Sequence, residues 1–396
     1  MSFNIATSGL NSVTEQLNAI SNNIANVGTT GFKSSRVEFG SLYADGQAMG
    51  VGVISMTQNI DQNGSLVNTG RDLDMGISGG GFFITRNANG DTTYTRNGVF
   101  GTDKDNFLIG SNGQTLQGYP VDAAGNLLVG TLADLQLRSG NIPARATDTL
   151  GFVSNLNAAD EAPTVAFDPD DADSYNSTYT TKVFDSQGKE HTLTQYFVKT
   201  GENEWAVHYY NGTTDVTPAG GQALEFSPSG ALITPTGTVN IAFTLPGVDP
   251  ISIAVDYSGT TQYGSEFVVT TNRASGYAAG EQTGLAVEKD GKVYARYSNG
   301  ERLLQGQVVL ANFTNPGGLK NENGTSWSVT GDSGNPLIGA PGVGSLGELQ
   351  AGSLEASNVD LTQQLVGLME GQRNYQANSK VLTTSKELTQ ILFGSI

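Results

Sequence analysis

Cysteine is absent from the 396 residues and histidine occurs only twice, so the side chains that most often act as nucleophile or general base are scarce. Without cysteine there can be no disulfide, no thiolate metal site and no thiol catalysis. His191 and His208 both lie inside alternating strand patterns, which favours a position on a strand face. No glycine-rich stretch continues into the lysine of a P-loop, and Gly79-Gly80-Gly81 lacks the spacing of a dinucleotide fingerprint. We therefore expect a protein without enzymatic activity, metal or cofactor.

Basic residues are also few, with 20 lysines and arginines against 38 aspartates and glutamates and a net charge of −18. Residues 157–225 alone contain 12 acidic and 3 basic side chains. Such a surface repels phosphates and anionic lipids, so neither nucleic acid nor membrane is an expected partner. The carboxylates from Asp168 to Asp173 do not form an EF-hand loop, because Asp173 and Tyr179 occupy the positions that need glycine and glutamate. A solubilising surface is the expected role of this charge.

Long apolar runs are missing as well. No stretch approaches the roughly 20 apolar residues that span a bilayer. The first residues lack both the basic start and the apolar run of a signal peptide. By these features alone the protein is expected in the cytoplasm, unless it leaves the cell by a route that needs no cleaved signal.

Glycine, by contrast, is abundant, with 52 residues that follow no triplet period. The absence of that period excludes collagen, and the glycines stand in Asn-Gly, Gly-Gly and Asp-Gly turns between short alternating runs. This pattern predicts mainly β structure. Residues 180–213 are expected to form three strands, separated by turns at 185–188 and 200–203.

The two ends of the chain are predicted to be helices, each with an apolar seam at steps of three and four residues. The first helix should end at Gly28, and the second should be capped by Ser357 or Asn358. A seam on one helix stabilises nothing until a partner covers it, so we expect the helices to pair and to order fully against other copies of the chain. A single helix pair that closes a globular domain remains an alternative. The expected self-assembly residues are Leu10, Val13, Leu17, Ile20, Ile24, Leu361, Leu365, Leu368, Tyr375, Leu382, Leu388 and Leu392.

The fold class expected from these segments is mainly β with α-helical termini. The N- and C-terminal helices form a coiled coil, followed by nested β domains in which a continuous outer domain is inserted into a discontinuous inner one. The predicted boundaries are 1–28 and 355–396 for the helical core, 29–71 for a connecting linker, 72–149 and 281–354 for the inner β domain, and 150–280 for the outer β domain.

Two motifs at opposite ends of the chain resemble the signatures shared by the flagellar axial proteins, the family of rod and hook subunits. The first spans residues 21–33 and the second residues 355–378. Asparagine is a poor helix former, so the asparagines of the first motif are expected to be held by neighbouring groups. The signature residues are Asn22, Asn23, Asn26, Gly31, Phe32, Lys33, Gln372, Arg373 and Tyr375.

The middle of the chain resembles the hook members of this family rather than the shorter rod members. Residues 183–188 and 196–201 are similar to the hook outer domain, and residues 306–313 to the return into the inner domain. The resemblance covers nearly the whole chain and is weakest over residues 232–273.

The resemblance implies a structural subunit of the bacterial flagellar hook, which assembles into a curved, flexible tube that transmits motor torque to the filament as a universal joint. It implies signal-less export by the flagellar type III apparatus and a location in the hook, outside the cell. The implied partners are other copies of the chain, the distal rod protein, the hook cap and the hook–filament junction protein. A distal-rod or hook–filament junction subunit, and more remotely a secreted β-rich adhesin, remain alternatives.

Overall fold

A computed structural model describes residues 2–44, 47–123, 125–218 and 221–394. The chain divides into two compact units. The first, here the terminal unit, comprises residues 1–139, 284–296 and 302–396, and the second, the inserted unit, comprises residues 140–283 and 297–301. The ranges expected for the helical core and the linker fall within the terminal unit, as does the range expected for the inner β domain apart from residues 140–149, 281–283 and 297–301.

The two ends of the chain are helical, as expected from their seams. Helix α1 spans Ser2–Ala25 and helix α2 spans Leu361–Gly394. The prediction that Ser357 or Asn358 caps α2 was wrong. Oδ1 of Asp360 accepts hydrogen bonds from the backbone N–H groups of Thr362 and Gln363, at 2.9 and 3.1 Å, and its negative charge also suits a helix N-terminus. Neither helix is apolar enough over a sufficient length to cross a membrane.

The predicted connecting linker contains a long antiparallel hairpin. Strands β1 (Ser35–Ala44) and β2 (Gln47–Gln58) pair throughout, with two register shifts. The hairpin lies against α1, where Oγ of Ser12 donates to the backbone oxygen of Val51 at 3.2 Å. Gly40, Gly50 and Gly52 therefore belong to a strand pair that a helix supports.

Short strands that precede the insertion form the first part of the β region of the terminal unit. They pack Phe83 against Phe100, with ring centroids 5.2 Å apart, inside a core that includes Met75 and Leu116. The strands are β3 (Leu66–Asn68), β4 (Met75–Ser78), β5 (Phe82–Arg86), β6 (Thr92–Thr95), β7 (Phe100–Thr102), β8 (Leu108–Gly110), β9 (Thr115–Pro120) and β10 (Ala133–Asp134).

The inserted unit contains two sheets around one large core. The three strands predicted over residues 180–213 are confirmed as β12, β13 and β14, and the region without recognised similarity supplies most of the second sheet. The elements are β11 (Thr149–Asn157), a 3₁₀ turn (Ala172–Ser174), β12 (Ser177–Phe184), β13 (Glu190–Gly201), β14 (Glu204–Asn211), β15 (Thr214–Asp215), β16 (Gln222–Phe226), β17 (Leu232–Thr234), β18 (Val239–Phe243), β19 (Ile251–Asp256), β20 (Thr261–Tyr263) and β21 (Val268–Ala274).

Alternation along these strands places one face of each sheet in the shared core. The sheet order is β12-β13-β14-β16-β17 in one sheet and β18-β19-β11-β20 in the other, where β21 also pairs with β11. Phe152 stacks on Phe197 with centroids 5.6 Å apart, and the hydroxyl groups of Tyr209 and Tyr257 are hydrogen-bonded at 2.6 Å. The unit therefore has a core of its own.

After the insertion the chain returns to the sheet of the terminal unit, whose main path is β22-β23-β24-β9-β5-β6-β27-β26. A second cluster in this unit contains Phe82, Phe313 and Trp327, which meet edge to face. The returning strands are β22 (Gln282–Val287), β23 (Lys292–Tyr297), β24 (Arg302–Val308), β25 (Leu310–Asn312), β26 (Lys320–Glu322), β27 (Ser326–Ser328), β28 (Leu337–Gly339), β29 (Glu348–Ala351) and β30 (Ser353–Glu355); a 3₁₀ turn (Pro316–Gly318) separates β25 from β26.

Candidate assembly interface

Helix α1 contacts α2 through two glycines spaced four residues apart. A Cβ atom at Gly367 would lie 3.3 Å from Cδ1 of Ile20, and one at Gly371 would lie 2.7 Å from Cδ2 of Leu17. Residues four apart share a helix face, so these two glycines form a strip without side chains, the glycine strip. Side chains of α1 pack directly against the helix backbone there. Leu17 and Ile20 of α1 thus lie against glycines of α2.

The leucine seam of α2 lies beside this glycine strip. A helix turns by about 100° per residue, which places Leu361, Leu365 and Leu368 on a face adjacent to Gly367 and Gly371. Leu365 is 46% exposed. Of the other predicted members, Leu361, Tyr375 and Leu388 are exposed, Leu368 and Leu382 are half-buried, and the side chain of Leu392 lies outside the described residues.

The seam of α1 is better covered than that of α2. Val13 and Ile20 are buried, and Leu10, Leu17 and Ile24 are half-buried. The helix lies between α2 on one side and the hairpin on the other, and each neighbour shields part of its surface. The self-assembly role assigned to these positions stays a prediction, because the contacts within one chain already account for their burial.

The β1–β2 hairpin exposes a second apolar surface. A two-stranded hairpin is marginally stable alone in water, and contiguous exposed apolar patches mark interaction surfaces. Ile54 is 73% exposed, which is unusual for a β-branched side chain on a well-formed strand. The exposed apolar side chains of the hairpin are Phe39, Leu42, Tyr43, Val53, Ile54 and Met56.

A groove of about 590 Å³ runs between α1, the hairpin and α2. Ile5 and Val13 of α1, Phe39 and Val51 of the hairpin, and Ala377 of α2 contribute its apolar lining. The three elements thus form one continuous surface in which apolar side chains remain open to solvent.

The asparagines of the first signature differ in their surroundings. Asn23 is buried, its Nδ2 donates to the backbone oxygen of Ser35 at 2.8 Å, and its Oδ1 accepts from the N–H of Ser35 at 2.9 Å. The same Nδ2 lies 3.1 Å from Oε1 of Gln364 on α2. Asn22 and Asn26 instead bond to each other along α1. The prediction that neighbouring elements hold the signature is therefore confirmed for Asn23.

A buried ionic cluster ties both ends of the chain to the β region. Lys33, Glu355 and Arg96 are 0%, 1% and 3% exposed. Nζ of Lys33 lies 2.8 Å from Oε1 of Glu355, and Nη1 of Arg96 lies 3.1 Å from Oε2. Desolvation lowers the pKa of Lys33, although Glu355 opposes this shift, and desolvation also lowers the pKa of Arg96. One carboxylate thus serves two buried cations from distant parts of the sequence.

Backbone contacts reinforce this cluster. The N–H of Gly31 donates to the backbone oxygen of Glu355 at 2.8 Å, and the N–H of Ser34 donates to Oδ1 of Asn358 at 2.7 Å. Gly31 has φ +71°, and a Cβ there would lie 2.6 Å from the backbone nitrogen of Asn97, so glycine is required. The remaining signature side chains differ, since Phe32 is half-buried while Gln372 and Arg373 are exposed on α2.

Arg96 was missed at the sequence level because it stands in a Thr-Arg-Asn-Gly segment that is typical of an exposed turn. The structure instead buries it, and its Nη2 donates to Oδ1 of Asn63 at 3.0 Å and to the backbone oxygen of Gly79 at 2.7 Å. The sequence offers one signal for this ionic cluster: Lys33 ends the first terminal signature and Glu355 begins the second.

Gly64 lies beside the ionic cluster, and its replacement by alanine is expected to destabilise the terminal unit. A Cβ there would lie 1.8 Å from the backbone oxygen of Ala356. Shifting that backbone should lower the free energy of unfolding by about 2–4 kcal/mol, since the N–H of Gly64 also donates to Glu355. Denaturant unfolding followed by the fluorescence of Trp327 measures this. Gly101→Ala is the matched control, because a Cβ at Gly101 meets nothing within 4 Å; equal effects of the two variants would contradict the prediction.

The two histidines lie in the inserted unit, where each contacts a neighbouring side chain. Nε2 of His191 lies 2.8 Å from Oδ2 of Asp185, and the ring of His208 stacks on Phe167 at 4.0 Å. Desolvation lowers the pKa of His208, although Asp215 opposes this. Within the described ranges, no group of three or more potential metal ligands comes together.

Four family models match the chain, each over a different segment. They are described as flagella basal body rod protein (residues 3–33), flagellar hook protein FlgE/F/G D1 domain (76–150), flagellar basal body protein FlaE D2 domain (155–277) and flagellar basal body rod FlgEFG protein C-terminal (350–393). The matched segments thus include both helices and both β regions.

Relatives match over the full length of the chain. The flagellar hook proteins FlgE of Escherichia coli K12 and Salmonella typhimurium LT2 are both 38% identical, with 99% of each chain covered. The crystal structure of the flagellar hook protein FlgE2 of Helicobacter pylori aligns with a TM-score of 0.52 at 13% identity, covering 73% of this chain and 99% of that one. This structural likeness supports the fold.

Proposed function

Because this chain belongs to the flagellar hook protein family and is a structural subunit of the bacterial flagellar hook, we propose that its terminal unit carries the contacts that build the hook. Copies of the chain pack through the leucine seam of α2 and the exposed face of the β1–β2 hairpin. The product is a curved, flexible tube that serves as a universal joint between motor and filament.

One observation carries this proposal: the seam of α2 stays exposed although α1 lies against the neighbouring face of the same helix. Burying a large apolar side chain is worth about 1.5–3 kcal/mol. Leu361, Leu365 and Leu388 are 43%, 46% and 63% exposed in the single chain, so part of this free energy is gained only when a second copy covers them. The hairpin adds exposed apolar side chains of its own on the same unit.

Torque transmission needs a stiff path from these helices to the β region. The Lys33–Glu355–Arg96 cluster supports such a path, because it joins the chain after α1, the chain before α2 and a β turn at one buried point. A buried pair of this kind resists separation, since removing one partner leaves a buried charge uncompensated. We therefore assign the cluster the role of a rigid mechanical connection between the helices and the β region.

Bending needs contacts that are individually weak. The inserted unit suits that role, because its surface is acidic and its buried apolar side chains form one core. Exposed polar and ionic contacts contribute about 0–1 kcal/mol each and are readily exchanged. Contacts between inserted units of neighbouring copies would thus form and break as the tube rotates.

Replacing residues 146–276 with a short glycine-serine link is expected to change the curvature or stiffness of the tube without preventing polymerisation. The chain enters and leaves the inserted unit as a pair, since Ile142 and Gly280 exchange backbone hydrogen bonds of 2.9 and 3.1 Å. A short link therefore spans the gap. Electron microscopy of the tubes measures shape and persistence; tubes identical to those of the full chain would contradict the role of this unit.

Electron microscopy of the unmodified protein, concentrated in a salt that strengthens apolar association, tests the main proposal. We expect curved tubes whose opposite sides differ in subunit spacing. Straight rods, or monomers that persist even with hook fragments added as seeds, would overturn it. We further propose that the chain is exported without a cleaved signal by the flagellar type III apparatus and meets the distal rod protein, the hook cap and the hook–filament junction protein in the assembled flagellum.

A further inference from the structure

We propose that Lys33 and Asn63 become joined by an amide bond between their side chains, formed by the folded chain itself with Glu355 as the proton carrier. Nζ of Lys33 lies 3.3 Å from Oδ1 of Asn63 and 2.8 Å from Oε1 of Glu355. The amine of Lys33 is thereby in contact with both a side-chain amide and a carboxylate, beside the base of the β1–β2 hairpin. The bond would need no enzyme and no cofactor.

The amide of Asn63 is arranged as an electrophile. Its Oδ1 also accepts from Nη2 of Arg96 at 3.0 Å, while its Nδ2 donates to the backbone oxygen of Gly79 at 2.9 Å. Lys33 must lose its proton and leave this oxygen before it attacks, so Arg96 is the cationic donor that would stabilise the negative charge that develops there. Asn63 is exposed, so the ammonia that forms from its Nδ2 has a way out.

Lys33 is arranged as the nucleophile. Its side chain is fully buried, and desolvation lowers its pKa, which favours the neutral amine that can attack. Oε1 of Glu355 is placed to accept the proton that the ammonium must first give up. A rotation of the lysine side chain then brings Nζ from the carbonyl oxygen onto the adjacent carbon.

The step balances without any further reactant. Glu355 takes one proton from the ammonium of Lys33, and Nζ forms a bond to Cγ of Asn63. Glu355 then relays a second proton from the attacking nitrogen to Nδ2, the Cγ–Nδ2 bond breaks, and the ammonia that leaves carries away the proton remaining on Glu355. One ammonium is consumed and one is released, and Glu355 is again a carboxylate.

The bond would close a covalent ring across the base of the hairpin. The ring contains all of strands β1 and β2, from Ser35 to Gln58, and thus the apolar face assigned to assembly. Shear between the hairpin and the β region would then load an amide bond instead of an ion pair. The inference concerns one chain only, so it stands or fails independently of how copies pack.

Tryptic peptides of assembled hooks test the proposal. The unmodified chain has no lysine or arginine before Lys33, and none from residue 37 to residue 70. Trypsin should therefore fail to cut after Lys33 and should release a branched species in which residues 1–36 are joined to residues 37–71, lighter by one ammonia than the sum of the two peptides. Recovery of peptide 37–71 only in its linear form, with cleavage after Lys33, would overturn the proposal.

Lys33→Arg separates the amide bond from other losses of ammonia, because succinimide at Asn63-Gly64 has the same mass change. The variant keeps a buried cation but should give no branched peptide. The matched control, Lys182→Arg at an exposed ion pair with Glu190, should leave the branched peptide unchanged. If the unmodified chain gives only a linear peptide 37–71 that is lighter by one ammonia, and Lys33→Arg gives the same peptide, the loss belongs to succinimide and the bond is contradicted.

Discussion

Leu365→Asp is expected to abolish tube formation while leaving both units of the chain folded. Leu365 is 46% exposed and lies beside the face of α2 that contacts α1, so the substitution should not separate the two helices. In the tube, however, it would place a charge in the seam between copies, where desolvation penalises the charged form. Losing the leucine and burying the charge should together cost at least about 3 kcal/mol per contact.

A loss of that size raises the protein concentration needed for polymerisation by at least about a hundredfold, since about 1.4 kcal/mol corresponds to a factor of ten. Sedimentation of polymer against total protein concentration measures it. Thr384→Asp adds the same charge at an exposed polar position of α2 and is the matched control. Tubes from Leu365→Asp at the normal concentration would contradict the proposed seam.

Leu17→Asp should prevent polymerisation for a different reason. Leu17 fits against Gly371 inside the single chain, so an aspartate there would separate α1 from α2 before any neighbour is involved. Circular dichroism of the unassembled protein distinguishes the two variants. Helix content should fall in Leu17→Asp and stay unchanged in Leu365→Asp; the same loss in both variants would contradict the separation of the two faces.

Sequence periodicity predicted most of the elements because local patterns determine them. The seams of α1 and α2, and the alternation that produces β12, β13 and β14, are visible in a window of ten residues or so. The same reasoning assigned no role to Gly367 and Gly371, which lie against α1. Periodicity identifies an apolar face but not which neighbour covers it, and a glycine strip has no apolar signal at all.

The wrong capping residue of α2 and the unexpected burial of Arg96 have a common cause. Asp360 rather than Ser357 or Asn358 caps α2, because Asn358 is engaged by Ser34 and by the backbone oxygen of Asn59. Arg96 is buried through a glutamate 259 positions away. Such long-range pairings leave no trace in local composition, so a residue with ordinary turn or cap chemistry can acquire a buried role that only the assembled fold shows.

Glu355→Gln is expected to produce the largest loss of stability in the terminal unit. Where Lys33 has not formed an amide bond with Asn63, the substitution leaves Lys33 and Arg96 buried without their shared counter-charge. Breaking a buried ion pair by removing one partner costs about 3–5 kcal/mol. Because the cluster joins both ends of the chain to the β region, we expect the variant to polymerise poorly or not at all.

The two tryptophans allow this effect to be located. Trp327 lies in the terminal unit, where its Nε1 donates to Oε1 of Gln58 at 2.8 Å, and Trp205 lies in the core of the inserted unit. In Trp205→Phe and Trp327→Phe backgrounds, denaturant unfolding is followed by one tryptophan at a time. Glu355→Gln should lower the midpoint reported by Trp327 and leave that of Trp205 unchanged. Equal shifts in both signals would show that the cluster does not act within its own unit.

Two further variants separate the buried charge from a general effect of losing a carboxylate. Glu190→Gln, at the exposed pair with Lys182, should change stability by less than about 1 kcal/mol. Lys33→Met added to Glu355→Gln removes one of the two orphaned cations, so the double variant should be more stable than Glu355→Gln alone. If the stability lost by the double variant equals the sum of the losses in Lys33→Met and Glu355→Gln, the two side chains do not interact energetically. The proposed stiff path from the helices to the β region would then lack its central contact.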